Sequence, residues 1–123
     1  MLAEAQGASD LSKGKQTLNN FVKTYRQQNY NCTAGSLEEF LDQIWFQRRI
    51  ELWGEGFSYY DMMRFQKPLD RRGGGFDPTT VYNLSPENPV LLFEIITDEA
   101  QNNPLIGNVS NGASIPEPVE DIK

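Results

Sequence analysis

The feature that most constrains the fold is a capped apolar stripe in the middle of the chain. Residues 36–39 read Ser-Leu-Glu-Glu, a capping box in which Ser36 accepts a hydrogen bond from the Glu39 amide and the Glu39 carboxylate reaches back to Ser36. The apolar side chains that follow at helical spacing are Leu37, Phe40, Leu41, Ile44, Trp45 and Leu52. The pattern predicts a helix from residue 37 to about residue 53.

Two more helices are predicted around this one. An amphipathic helix is expected over residues 10–28, with Ser9 or Asp10 as its cap. Its apolar side chains, at i, i+3, i+4 and i+7, are Leu18, Phe21, Val22 and Tyr25. A third helix, over about 57–66, should end before Pro68. The short polar loop between the first two helices favours an antiparallel helical hairpin, so the expected fold is mainly α.

The chain changes character from Lys67 onward. "DRRGGGFDPTTVYNLSPENP" consists almost entirely of turn-forming residues. Residues 90–96 (VLLFEII) favour a strand or an extended packed segment, and "TDEAQNNP" favours one capped helical turn. We expect a single domain over residues 1–109 with a long irregular C-terminal segment, followed by a flexible acidic tail over residues 110–123.

Composition excludes several classes of function. The 123 residues carry a net charge of −6, which argues against nonspecific nucleic-acid binding. There is no histidine and one cysteine, Cys32, so neither a Ser-His-Asp triad nor a disulfide framework nor a His- or Cys-based zinc site is available. No cofactor or metal is expected. No apolar run reaches the ~18 residues of a membrane span, and an export signal, if one exists, is expected upstream of residue 1.

The charged side chains of "RRIELWGEGFSYYDMMRF", residues 48–65, are candidates for catalysis or for a structural network. Paired carboxylates such as Glu51 and Glu55 carry out glycoside hydrolysis when they flank a glycosidic bond. Helical spacing also allows Glu51 and Glu55 to form ion pairs with Arg48. We therefore interpret the two carboxylates as structural. The predicted structural network comprises Arg48, Glu51, Glu55, Asp61 and Arg64.

Glycines and aromatic residues in the same region suggest three further roles. Gly54 and Gly56 are expected to let the backbone turn sharply or approach a neighbouring helix closely. "RRGGGF", residues 71–76, lacks the Gly-Lys-Ser/Thr ending of a phosphate loop and is interpreted as a surface loop.

Trp45 lies on the apolar stripe and is expected in the core. The remaining candidates, for ligand contact or for core or interface packing, are Trp53, Tyr59 and Tyr60.

Residues 48–65 also resemble the C-terminal signature of the SusD/RagB family. The matching residues are Arg48, Arg49, Glu51, Leu52, Glu55, Gly56, Asp61, Arg64 and Phe65. The chain departs from the signature at Gln47, Ser58 and Met62. "TLNNFVKTYR" and "SLEEFLDQIWFQRR" resemble the family's preceding helices, and Glu99, Asn103 and Pro104 resemble its closing motif, although Thr97 stands where the family usually has proline.

The resemblance, over residues 12–109, implies the C-terminal portion of a longer SusD-like protein with tetratricopeptide-like helix pairs. It implies a non-catalytic, lipid-anchored protein on the outer-membrane surface of Bacteroidetes-type bacteria. Such a protein binds glycans or other nutrients and caps a SusC-like TonB-dependent transporter. The signature would then be architectural, locking the second helix to the third. A helical protein–protein interaction module is the alternative, and an enzyme that relies on carboxylates alone ranks third.

Overall fold

A computed structural model of the chain describes residues 1–93, 97–105 and 113–122. It divides into two compact units, Met1–Asp61 and Met62–Lys123. The described residues are mainly helical, as predicted, and no helix among them is both long enough and apolar enough to cross a bilayer. Their helices and strands, in chain order, are α1 (Leu2–Ser9), α2 (Leu11–Tyr25), α3 (Leu37–Glu51), α4 (Ser58–Arg64), β1 (Leu69–Asp70), β2 (Asn83–Leu84) and α5 (Thr97–Asn102).

Helices α2 and α3 begin at the predicted caps. The Asp10 carboxylate accepts a hydrogen bond from the Lys13 amide at 3.1 Å, and the Ser36 hydroxyl accepts one from the Glu39 amide at 3.2 Å. The reciprocal half of the capping box differs from the prediction. The extended backbone of Ser36 brings the amide of Gly35, rather than that of Ser36, to 2.7 Å from the Glu39 carboxylate. Both helix starts are therefore fixed by local side-chain chemistry.

Helix α1 precedes the predicted helices and forms an antiparallel hairpin with α2. The two helices are joined by Asp10 alone, and they touch through small residues. A Cβ atom added to Gly14 would lie 2.5 Å from the Cα of Gly7 and 2.8 Å from the carbonyl oxygen of Ala3. The chain thus contains an antiparallel helical hairpin, but it is formed by α1 and α2 and not by the predicted pair, α2 and α3. Alanine and glycine give α1 too weak an apolar stripe to be predicted from periodicity.

The loop between α2 and α3 runs back along α2. Asn19, in the second half of α2, accepts a hydrogen bond from the Cys32 amide at 2.7 Å. Lys15, one turn earlier, donates to the Ala34 carbonyl at 2.5 Å. Because the loop returns toward the start of α2, α3 runs in the same direction as α2 rather than antiparallel to it.

Helix α3 completes the core of the first unit. The Phe40 side chain is fully buried, and a Cβ atom on Gly7 would overlap its ring. At the far ends of α2 and α3, Arg26 lies 3.6 Å from Glu51. The buried apolar side chains of this unit are Ala3, Leu18, Val22, Cys32, Ala34, Phe40 and Ile44.

The turn between α3 and α4 uses glycine for its backbone conformation. Gly54 and Gly56 have φ values of +82° and +78°, in the left-handed region that favours glycine. Among the described residues, no heavy atom lies within 4 Å of a Cβ added at either position. Of the two predicted roles, the sharp turn is therefore the one observed, and close helix approach is not.

The second unit contains little regular structure. Strands β1 and β2 pair antiparallel, with Leu69 opposite Leu84 and Asp70 opposite Asn83. Its buried apolar side chains among the described residues are Val81, Leu84 and Leu91. The predicted turn chemistry between residues 70 and 89 is consistent with this hairpin and with the 3-10 turn Pro78–Thr80.

The segment predicted as a strand or an extended stretch begins as a 3-10 turn, Pro89–Leu91. Asn88 caps this turn by accepting the Val90 amide at 3.0 Å, which holds the backbone away from strand geometry. Residues 94–96 lie outside the described residues. The predicted helical turn is present as α5, and Asn103 follows it, with its side chain accepting the Leu105 amide at 3.1 Å.

Candidate functional site

Of the predicted charge network, the structure joins Arg48 and Asp61. The Arg48 Nε atom donates to the Asp61 Oδ2 atom at 2.7 Å, and the two side chains are 17% and 7% exposed. Arg48 lies in the last turn of α3 and Asp61 lies in α4. This pair therefore ties the two helices together across the Gly54–Gly56 turn.

Glu51 and Glu55 have surroundings different from those of this pair. Glu51 is the last residue of α3 and faces Arg26 of α2 at 3.6 Å. Glu55 is exposed in the glycine turn, beyond the end of the helix, so the predicted shared helix face with Glu51 does not exist. The Arg64 guanidinium lies 4.0 Å from the centroid of the Phe65 ring. Glu51 and Glu55 therefore do not form a carboxylate pair on one helix face.

The predicted aromatic residues differ in accessibility. Trp53 is 86% exposed and Tyr60 is 61% exposed. Tyr59 is half-buried and meets Tyr60 edge to face, with ring centroids 5.5 Å apart. Trp45, predicted as core, is half-buried, and the Arg49 guanidinium lies 5.0 Å above its ring. Trp53 and Tyr60 therefore present aromatic surface to solvent.

Two apolar side chains that sequence analysis did not single out are exposed on α3. Phe46 and Ile50 lie four residues apart on a face of the helix different from the buried Phe40 and Ile44. Phe57, in the turn that follows, is also exposed. The i, i+4 spacing of Phe46 and Ile50 indicates a second apolar face of the helix in the sequence. Periodicity alone, however, does not say which of two apolar faces is buried.

A cleft of about 290 Å³ opens between α1, α2 and α3. Apolar side chains make up most of its wall, and the Arg26–Glu51 pair is among the residues that line it. Burying hydroxyl groups against such a wall costs free energy, because they lose hydrogen bonds to water. The residues lining it are Met1, Leu2, Ala3, Thr17, Leu18, Phe21, Arg26, Ile44, Gln47, Arg48, Glu51 and Leu52.

The loop after β1 is braced by its own side chains. Arg72 donates to both carboxylate oxygens of Asp70, at 2.9 and 2.7 Å. Hydrogen bonds from the Arg72 side chain and backbone lower the pKa of Asp70 to about 2. The Arg71 guanidinium lies 4.0 Å from the Phe76 ring centroid. Both arginines of "RRGGGF" thus have partners within the loop, in keeping with a surface loop.

Metal-binding and nucleophilic groups are not clustered in the part of the chain that the structure describes. No group of three or more His, Cys, Asp or Glu side chains there is arranged to hold a metal ion. Cys32 is 2% exposed, and its amide is bound by Asn19. Cys32 is therefore a buried part of the loop that returns along α2.

Comparison with known proteins identifies the family. The SusD family model matches residues 7–104, more than half of the 123-residue chain. The chain therefore belongs to the SusD family, whose members are binding proteins of a nutrient-uptake system. A search of curated proteins and a search of solved structures each give no significant match.

Proposed function

We propose that this SusD-family chain is part of a cell-surface protein that binds a glycan or another nutrient and delivers it to a TonB-dependent outer-membrane transporter. The family match over residues 7–104 supports the binding role. The proposal further assigns a lipid anchor at the outer membrane and a SusC-like partner to the whole protein. It assigns no catalytic step to the chain.

The main support for a ligand contact is the exposure of Trp53. Trp53 is 86% exposed beside the glycine turn, and Tyr60 is a second exposed aromatic residue in α4. The CH faces of a sugar ring stack on such aromatic planes, while its hydroxyls remain in water. The cleft between α1, α2 and α3 suits a sugar less well, because its wall is mainly apolar.

The aromatic contact is tested by fluorescence titration of the intact chain with maltohexaose and xylohexaose as probes. Binding at Trp53 should shift the tryptophan emission to shorter wavelength, and Trp53→Ala should abolish the shift. Phe46→Ala is the matched control, because it removes another exposed aromatic ring from the same unit. If the emission shift were lost equally in both variants, the loss would reflect damage to the fold and not removal of a ligand contact at Trp53.

Delivery to a transporter is tested on the intact parent protein. The tagged parent is recovered from outer-membrane extract, and its partners are identified by mass spectrometry. Recovery of a large TonB-dependent barrel supports the uptake role. Recovery of soluble helical partners without a barrel would contradict it.

A helical protein–protein interaction module is the second candidate. The exposed apolar side chains of Phe46 and Ile50, four residues apart on α3, favour it, because exposed apolar patches mark protein interfaces. In this alternative, Trp53 and Tyr60 contact a protein instead of a sugar. Replacing Phe46 and Ile50 by serine would then abolish partner recovery, whereas the glycan proposal expects oligosaccharide binding to survive that change.

A further inference from the structure

The cleft between α1, α2 and α3 is built partly from side chains of the core. Leu18 and Ile44 line it, and both are almost fully buried, at 4% and 3% exposure. Ala3, which also lines it, is buried where α1 and α2 approach each other closely. Because close packing holds core side chains in place, the packing of the three helices also fixes the shape of this part of the cleft.

Phe21 adds an aromatic ring to the wall of the cleft and is 38% exposed. Its ring centroid lies 5.2 Å from that of Tyr25, and the Arg26 guanidinium lies 5.5 Å from the same Phe21 centroid. These contacts at the end of α2 restrain a ring that a ligand can still reach. A restrained ring loses little conformational freedom when a second ring packs against it, so less of the binding free energy is spent on ordering the site.

The charged side chains that line the cleft are paired within the protein. Arg26 lies 3.6 Å from Glu51, and the Arg48 Nε atom donates to Asp61 at 2.7 Å. A charged ligand would lose hydration on entering and would compete with these existing partners. A neutral ligand leaves both pairs undisturbed. The electrostatics of the cleft therefore favour a neutral, apolar molecule.

The volume of the cleft sets the size of that molecule. A cavity of about 150 Å³ lined by apolar side chains stays dry and binds benzene. The cleft in this protein is nearly twice as large, at about 290 Å³, and lies near the lower end of the range for small-molecule pockets. It therefore suits a bicyclic aromatic molecule better than a single ring.

We propose that the cleft between α1, α2 and α3 binds a neutral, apolar bicyclic molecule of the size of indole or naphthalene. The molecule packs against Phe21 and against the buried Leu18 and Ile44. Removal of apolar surface from water, on the ligand and on the wall, drives the binding. Trp53 is not among the described residues that line this cleft, so the site is separate from the proposed sugar contact.

Binding is tested by titrating the intact, ¹⁵N-labelled chain with indole and following the amide chemical shifts. Saturable shifts are expected at the residues that line the cleft, with a Kd of about 1 mM. Indole-3-acetate has the same rings and a carboxylate, and it should bind about tenfold more weakly. Shifts that do not saturate, that centre on other residues, or that give the same Kd for both molecules would overturn the proposal.

Variants then locate the bound indole. Phe21→Ala should raise its Kd about tenfold, because part of the apolar surface that covers the ligand is removed. Phe46→Ala is the matched control, since this ring is exposed on α3 outside the cleft, and it should leave the Kd unchanged. Trp53→Ala should also leave it unchanged, which separates this site from the sugar contact.

Leu2→Ser gives a second test of the location that does not depend on Phe21. Leu2 lines the cleft but is 65% exposed, so the core does not rely on its side chain. This variant should also weaken indole binding, by a smaller factor than Phe21→Ala. If neither variant raises the Kd, or if Phe46→Ala raises it as much as Phe21→Ala does, indole does not occupy the cleft and the proposal is wrong.

Discussion

In residues 1–61 the side chains that exclude water come from three helices and the loop between α2 and α3, whereas residues 62–123 bury Val81, Leu84 and Leu91 among turns and two-residue strands. The first unit is held by contacts distant in sequence, such as the Phe40 ring on Gly7. Such contacts form only when separate helices meet.

The second unit combines many contacts between near neighbours with a few long-range ones, namely the β1–β2 pairing and the hydrogen bonds that join residues 119–121 to Gly73 and Val81. In each of four turns, an Asp or Asn side chain accepts the backbone amide two residues further along. These acceptors are Asp70, Asp77, Asn88 and Asn103. Packing between helices therefore dominates the first unit, whereas local turn chemistry contributes a larger share of the contacts in the second unit. Substitutions and protonation in the two units should therefore change the stability of the protein by different amounts.

The largest effect is expected for Arg48→Ala. Removing this side chain leaves Asp61, 7% exposed, without the guanidinium that lies at 2.7 Å. Loss of one member of a buried ion pair lowers the free energy of unfolding by about 3 kcal/mol. Chemical denaturation measures this loss. Arg49→Ala, which removes the neighbouring exposed arginine, should cost well under half as much, and equal losses would show that the pair does not lock α3 to α4.

A smaller effect is expected for Gly14→Ala. The new Cβ atom would meet backbone atoms of Gly7 and Ala3 at 2.5 and 2.8 Å, so α1 has to move away from α2. Overpacking of this kind costs about 1–3 kcal/mol, measured by thermal unfolding. Gly35→Ala is the control, because its nearest neighbour is the end of a flexible Glu39 side chain at 3.6 Å. A Gly14→Ala variant as stable as the unmodified chain would contradict the close α1–α2 contact.

The smallest effect is expected from protonation of Asp70 in the second unit. Its pKa is lowered from 3.8 to about 2 by the Arg72 hydrogen bonds. The depressed pKa means that the contribution of the pair is present above pH 3.8 and is lost as the pH falls through about 2. Because both groups are at the surface, the change should be local. The Arg72 amide chemical shift should titrate near pH 2, and Asp70→Asn should remove this titration.

Sequence patterns predicted several local features of the first unit. The Asp10 and Ser36 caps start α2 and α3, and Gly54 and Gly56 form the turn that follows α3. Each depends on one to four adjacent residues, so the information is contained in a short stretch of sequence. The exposed positions of Trp53 and Tyr60 were left open by sequence analysis, because an aromatic residue near a turn fits both a core and a surface.

The sequence by itself determined the mainly helical fold, the starts of α2 and α3, the glycine turn and the family resemblance. The tertiary structure decided which helices pair, the return of the 26–36 loop along α2, and which members of the charge network meet. The physical reason is the distance along the chain between the residues that interact. Caps and turns are closed by neighbouring residues, whereas the pairing of α1 with α2 depends on Gly7 leaving room for both Gly14 and Phe40, 7 and 33 residues away in the chain.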